Sequence, residues 1–342
     1  MSEIRLPAEW ESHDATWLTW PTAVTTWPAS ILKSVQDSYI DLIETLLAGE
    51  VVELFVDNAL AKGEVVDQLK TRDCDLGNLI IHIKPTNDAW IRDYGADFIL
   101  KDREKFVIDW DFNAWGGKYE PYEEDNYISS YMVKQRPYKY EMRDEILEGG
   151  SFDTNGKGLF LTTESCLLND NRNSFTKEEA EKLFKEVLGA KEFIWLKEGI
   201  VGDDTDGHID DITRFVNVNT IAFATESDKS DANYQILKAN EEKLKEYRDM
   251  HFPELELIPI PMPAPVVFDN ERLPASYLNF YISNAAVIVP TFDDPNDAKA
   301  LAIFSEVFSD RRVIGMHASH IVVGLGSFHC LTKHECKAPV DN

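Results

Sequence analysis

Asp204-Thr-Asp-Gly-His-Ile-Asp-Asp-Ile-Thr-Arg-Phe-Val-Asn-Val-Asn-Thr-Ile-Ala-Phe-Ala224 runs from a carboxylate-rich segment into two short β-rich stretches, Ile212–Val216 and Ile221–Ala224. An amphipathic helix fits 231–250 directly after it. The same grouping recurs along the chain. Further β-branched and aromatic clusters lie at Val51–Val56, Leu79–Ile83, Phe106–Trp110, Leu159–Thr163, Tyr277–Ile282 and Val287–Val289. Residues 29–48 place Ile31, Val35, Tyr39, Leu42, Ile43, Leu46 and Leu47 on one helical stripe after Pro28. Residues 177–188 repeat the pattern with Leu183, Phe184, Val187 and Leu188, opened by a capping box from Thr176 to Glu179 and closed by Gly189. A fourth helix fits 295–308. Strands outnumber helices by roughly two or three to one, with one helix per group of strands about every 60 residues. That rhythm predicts repeated small α/β units. No long Pro/Gly/Ser linker interrupts it, so the expectation is a single domain over 1–342.

A chain of 342 residues can bury a sizeable core. Its formal charge of −27 is spread along the sequence, a field that repels phosphate backbones and anionic lipid and gathers small cations. Nucleic acid and membrane surfaces are therefore poor partners. No run of about 18 apolar residues is present. The opening residues lack a basic segment followed by an apolar one, which predicts a cytoplasmic protein. Cys74, Cys166, Cys330 and Cys336 show no paired spacing and read as reduced thiols.

The chemistry concentrates in Asp204–Asp210 and in Phe328-His-Cys330. Read as an extended strand, the first places His208 and Asp210 on one face. A carboxylate holds a histidine as imidazolium, and an imidazolium favours a thiolate, here Cys330. Cysteine, histidine and carboxylates together suit nucleophilic attack on a cationic carbon such as that of a guanidinium. Asp88-Ala-Trp-Ile-Arg-Asp93-Tyr-Gly95 and Glu148-Gly-Gly150 add carboxylates beside glycine turns. Gly324 and Gly326 imply a close backbone approach near Cys330. A calcium loop is excluded at Asp204–Asp210 because its glycine is fourth, where an EF-hand needs the sixth. His329, Cys330, His334 and Cys336 lie within eight residues but match neither structural nor catalytic zinc spacing. Cys74 and Cys166 read as ordinary small buried side chains.

In their order, the motifs Pro7–Glu11, Ala15–Pro21, Asp88–Gly95, Glu148–Ser151, Thr162–Asn169 with Asn171–Asn173, Asp204–Asp210, Ser276–Tyr281 and Phe328–Thr332 resemble the agmatine deiminase family. That family is related to the bacterial peptidyl-arginine deiminases and belongs to the guanidine-modifying superfamily. The resemblance implies a five-bladed pseudo-symmetric α/β propeller, the pentein fold. It implies Cys330 as nucleophile, His208 as general acid and base, and Glu148 as a carboxylate that contacts the guanidinium and orients the site. Asp93 and Asp210 match the pair that clamps the guanidinium nitrogens. Asp204 matches a further substrate-binding carboxylate, and Trp90 would line the pocket. A homo-oligomer is the implied assembly.

The activity so implied is hydrolysis of agmatine to N-carbamoylputrescine and ammonia through an amidino-cysteine intermediate, in putrescine and polyamine biosynthesis, with a small cationic guanidino compound as partner. No metal or organic cofactor has a role in that scheme. Deimination of peptidyl or free arginine, non-catalytic binding of guanidino compounds and metal-dependent hydrolysis are the alternatives. After Cys330-Leu-Thr332 the family commonly continues with glutamines, whereas this chain has Lys333-His-Glu-Cys336. An inward-pointing Lys333 would favour a carboxylate on the substrate tail. Asn279 reads equally as a contact near the pocket mouth or as a partner for neighbouring backbone.

Overall fold

The computed structural model describes residues 3–339, so the first two and last three residues of the expected 1–342 domain lie outside it. Five sheets share one plan, beside a small hairpin of Val267–Phe268 and Glu271–Arg272. Each begins with an antiparallel strand pair; a helix then crosses over and the next strand joins parallel to the second. Asp97–Lys101 and Glu104–Asp111 are followed by the helix Glu123–Lys134 and the strand Lys139–Ile146. Phe152–Thr154 and Leu159–Thr163 are followed by Lys177–Val187 and Glu192–Leu196. Thr213–Asn217 and Thr220–Thr225 are followed by Asn233–His251 and Glu256–Pro261. Tyr281–Ile282 and Ala286–Thr291 are followed by Pro295–Val307 and Arg312–His317.

The remaining unit is built from both ends of the chain. Thr332–Cys336 pairs antiparallel with His13–Thr19, the helix Ala29–Leu47 crosses over, and Val51–Val56 joins in parallel. Leu79–Ile83 extends that sheet through the helix Ala59–Thr71. Parallel neighbours cannot be joined by a tight turn, which is why every third strand is preceded by a helix. The result is the five-unit α/β architecture of the pentein fold.

Helix formation follows the side-chain pattern closely. Ala29–Leu47 buries Val35, Tyr39, Leu42, Ile43 and Leu46, one face at a period near 3.6. The Thr176–Glu179 capping box forms, and Gly189 takes a left-handed φ of 74° where the chain turns away. The expected strand Tyr277–Ile282 shrinks to Tyr281–Ile282. Residues 277–280 carry strand-like aromatic side chains, and Tyr277 and Phe280 are fully buried, but the backbone there turns.

The plan places chemistry at equivalent points of all five units. Asp93, Glu148, His208, Asn279 and Cys330 each lie just before the first strand of a unit, ahead of Asp97, Phe152, Thr213, Tyr281 and Thr332 respectively. Five entry segments thus converge on one site.

Candidate active site

Cys330 lies in the turn between a short 3-10 helix, Ile321–Gly324, and the strand Thr332–Cys336. It lines a cavity of about 580 Å3 together with Trp90, Asp93, Asp204 and Thr205. Gly324 and Gly326 permit this turn, because a Cβ at either would come within 2.7 and 2.6 Å of the Trp90 ring. Trp90 is in turn packed on Trp27 at 5.2 Å between centroids. The close approach expected from the two glycines is made to the wall of the pocket.

His208 and Asp210 do converge, though by a route the sequence did not suggest. They lie at the start of a 3-10 turn, Ile209–Asp211, and not on an extended strand. A Cβ at Gly150 would stand 2.5 Å from His208 Nδ1, 2.9 Å from Asp93 Oδ1 and 3.1 Å from Asp210 Oδ2, so only glycine fits where the three groups meet. Gly150 donates its backbone N–H to Asp93 Oδ1 at 2.8 Å, and Trp115 Nε1 donates to Asp93 Oδ2 at 3.0 Å. His329 holds Asp210 Oδ2 through Nδ1 at 2.6 Å and reaches Glu9 through Nε2 at 2.9 Å.

Two buried atoms at this point have no hydrogen-bond partner among the described residues, His208 Nδ1 and Asp210 Oδ1. Unpaired buried polar atoms are costly and rare.

Charge distribution explains the protonation states. Burial alone would lower the His208 pKa, but Asp93, Cys166 and Glu148 together raise it well above the usual imidazole value. Burial pushes the Cys330 thiol up, and Asp210, Asp211 and Asp93 push it further. These carboxylates therefore work against the thiolate that the sequence reading assigned to Cys330. Burial likewise raises Asp93, while His329 keeps Asp210 low against the same burial.

Glu148 is tied to the histidine. His208 Nε2 donates to Glu148 Oε2 at 3.2 Å, and Arg172 forks onto both carboxylate oxygens at 3.0 and 3.2 Å. Arg172 also donates to Thr205 O at 3.0 Å, which joins Glu148 to the loop that carries His208. Cys166, read from sequence as an inert buried thiol, stands 3.8 Å from Glu148 Oε2. Glu148, Cys166 and His208 form the one group of three potential metal ligands within 4.8 Å among the described residues. A metal there would have to displace the Arg172 fork.

Asp204 lines the outer cavity and accepts from the Tyr119 hydroxyl. Lys333 does not enter the pocket. Its ammonium is buried against Asp97 Oδ1 at 2.6 Å and Arg92 O at 3.2 Å, so it cannot select a substrate tail. His334 and Cys336 turn away from Cys330 as well: His334 stacks on His13, and Cys336 bonds Phe98 O.

Several contributors escape the motif reading. Trp115 belongs to Ala114–Gly117, in which all four residues have positive φ, from 54 to 93°. Non-glycine residues rarely adopt this conformation unless function or packing holds them there. The adjacent Gly116-Gly117 pair was the available signal. Glu9 accepts from Arg92, Arg214 and Ile282 N as well as meeting His329, and nothing local in Pro7–Glu11 announces this.

The family model described as Porphyromonas-type peptidyl-arginine deiminase matches residues 5–335. The chain belongs to this family. An agmatine deiminase of Pseudomonas aeruginosa (strain LESB58) is 33% identical over 357 residues, covering 97% of this chain and 95% of the relative. A substrate-bound agmatine deiminase of C. jejuni superposes with a TM-score of 0.89 at 33% identity, covering 98% of this chain and 97% of that one. The inosamine-phosphate amidinotransferase of Streptomyces griseus shares the fold alone, with a TM-score of 0.56 and 11% identity over 100% of this chain and 98% of its own. Membership of the deiminase family thus rests on sequence and structure together, while the five-unit plan extends to amidinotransferases. No helix among the described residues is long and apolar enough to cross a membrane.

Proposed function

We propose that this chain is an agmatine deiminase, acting in the cytoplasm to supply N-carbamoylputrescine for putrescine synthesis. The observation that carries the choice of substrate is the wall of the cavity that ends at Cys330. It presents Asp88, Asp93, Glu120, Asp125 and Asp204 against a single amine, Lys118, and that amine is paired with Asp206 at 2.8 Å. Such a wall suits a substrate that is cationic at both ends. Burial raises Asp88 to about 6 and raises Asp204 as well, so a second cation in the outer cavity relieves a strained set of carboxylates. The α-carboxylate of arginine would face these acids instead.

The guanidinium is planar and permanently protonated, and two carboxylates can hold its N–H groups while a nucleophile approaches its carbon. In this reading Asp93 and Asp210 clamp it, with Asp210 Oδ1 gaining its missing partner. The arriving cation offsets the carboxylates around Cys330, so the thiol ionises when substrate is present and its proton leaves through the cavity to solvent. The thiolate adds to the central carbon, and His208 gives its Nδ1 proton to the leaving nitrogen as ammonia departs. An amidino-thioether remains on Cys330. Neutral His208 then takes one proton from water as the oxygen attacks the same carbon; the C–S bond breaks, the second water proton passes to the departing Cys330 sulfur as the carbonyl forms, and the ureido product leaves. Glu148, fixed by Arg172, orients the imidazole throughout.

Ammonia release with mass detection of the ureido product tests this with agmatine, free arginine and a short arginine peptide, under reducing conditions with chelator. Turnover of agmatine alone is expected. Turnover of arginine or peptide with agmatine inert would overturn the assignment.

A further inference from the structure

We propose that Asn279 is a catalytic residue that stabilises the Cys330 thiolate through an Nδ2–H···Sγ bond, and that Asp211 is the positioning residue that holds its amide for that purpose. The inference rests on Cys330 as the nucleophile. It does not depend on which guanidino compound is the substrate.

The orientation of the amide follows from its neighbours. Asn279 Oδ1 accepts three backbone N–H groups, from Ser327 and His329 at 3.1 Å and from Cys330 at 3.3 Å. Three donors can converge only on the oxygen, so the nitrogen must face the other way. Its two hydrogens are then both used, one on Cys330 Sγ at 3.0 Å and one on Asp211 Oδ1 at 2.9 Å. The nucleophile turn is thus wrapped around a single buried side chain. Asn279 and Asp211 are 1% and 3% exposed, so water does not compete for either bond.

The remaining surroundings of the sulfur make this donor matter. Asp210 Oδ2 lies 3.5 Å from Sγ, and Asp93 and Asp211 stand nearby and push the thiol pKa up with it. All three oppose a thiolate. A hydrogen bond to an ionised group is roughly twice as strong as one between neutral groups, so the amide contributes most after the proton has left. Topology agrees: Asn279 occupies in its unit the entry position that Asp93, Glu148, His208 and Cys330 occupy in the other four.

Alkylation of the ligand-free enzyme by iodoacetamide, followed against pH and mapped to Cys330 by peptide mass, reads the thiolate without any substrate. Asn279→Asp keeps the oxygen that binds the three backbone N–H groups but replaces the donor with a carboxylate oxygen; Asn279→Ala removes oxygen and donor without adding charge. At a pH below the thiol pKa, both variants should alkylate about 10- to 100-fold more slowly, the range expected for one lost bond to a charged group. With agmatine, kcat should fall and KM should change little. Asp211→Asn and Asp211→Ala both delete the charge, but only Asn keeps the acceptor, so Asn should restore alkylation that Ala loses. An unchanged alkylation profile in Asn279→Asp overturns the role of Asn279, and equal rates in the two Asp211 variants overturn that of Asp211. If neither Asn279 variant folds, the Asp211 pair decides. Deimination by Cys330→Ser would instead refute the nucleophile itself, a failure separate from either.

Discussion

Asp93 is buried beside Asp210 and Glu148, and in the proposed reaction it receives a cation in a fixed orientation. Its oxygens are aimed by Gly150 N–H and by the indole N–H of Trp115. Trp115→Phe keeps the ring that lines the cavity and removes that donor. We expect kcat/KM for agmatine to fall about tenfold or more, as for one hydrogen bond to a charged group, with the fold intact by circular dichroism. An unchanged kcat/KM would make the indole N–H irrelevant to the clamp. The sequence made Cys330, His208, Asp93 and Asp210 legible because their residue types are scarce in one local pattern. It singled out Asn279 and His329 without giving their partners, which lie 51 and 119 residues away. No local spacing encodes such contacts.

At the scale of elements, the helix Lys177–Val187 shows how far local chemistry reaches. Thr176 accepts Glu179 N–H, and the Glu179 carboxylate returns to Thr176 N, satisfying donors that the first turn would leave unpaired. Thr176→Ala should cost about 1 kcal/mol. In a chain of this length that lowers the melting temperature by about 1–2 °C. Activity should be unchanged, since the helix only crosses behind its sheet; a loss of activity without loss of stability would contradict this. The four helices read from periodicity all form, within a residue or two of their expected ends. Ala59–Thr71 was not foreseen because its buried side is only Ala61, Val65 and Leu69. The strand expected at Tyr277–Ile282 failed for the opposite reason. Burial selected aromatic residues, while the need to surround Asn279 selected a turn.

For the whole molecule, Glu9 is the hub. Its carboxylate meets Arg92 at 2.9 Å, Arg214 at 3.0 Å, His329 at 2.9 Å and the Ile282 amide at 2.9 Å, contacts drawn from four separate stretches of chain. Burial opposes its charge, but Arg214, His329 and Arg92 hold its pKa well below 4.5. Glu9→Gln leaves two buried guanidinium groups short of a counter-charge and should destabilise by about 3–5 kcal/mol. The melting temperature should fall by about 4–7 °C. The folded-state pKa is depressed, so the folded protein binds this proton less readily than the unfolded chain. The stabilisation is complete above about pH 4.5 and is lost as pH falls through the folded value. Melting curves of both proteins should therefore differ by a constant amount above pH 4.5 and converge below it. A gap that widens in acid would contradict the hub.

The sequence by itself determined the recurrent α/β units, the helices with wide apolar stripes and the motifs that carry the candidate site residues, because periodicity, capping and motif are local properties of the chain. Only the tertiary structure decided that five strand entries meet at one point, that Lys333 is spent on Asp97 and that buried carboxylates push the Cys330 thiol pKa up. Those outcomes depend on burial and on fields summed over groups far apart in sequence, and neither exists before the chain closes.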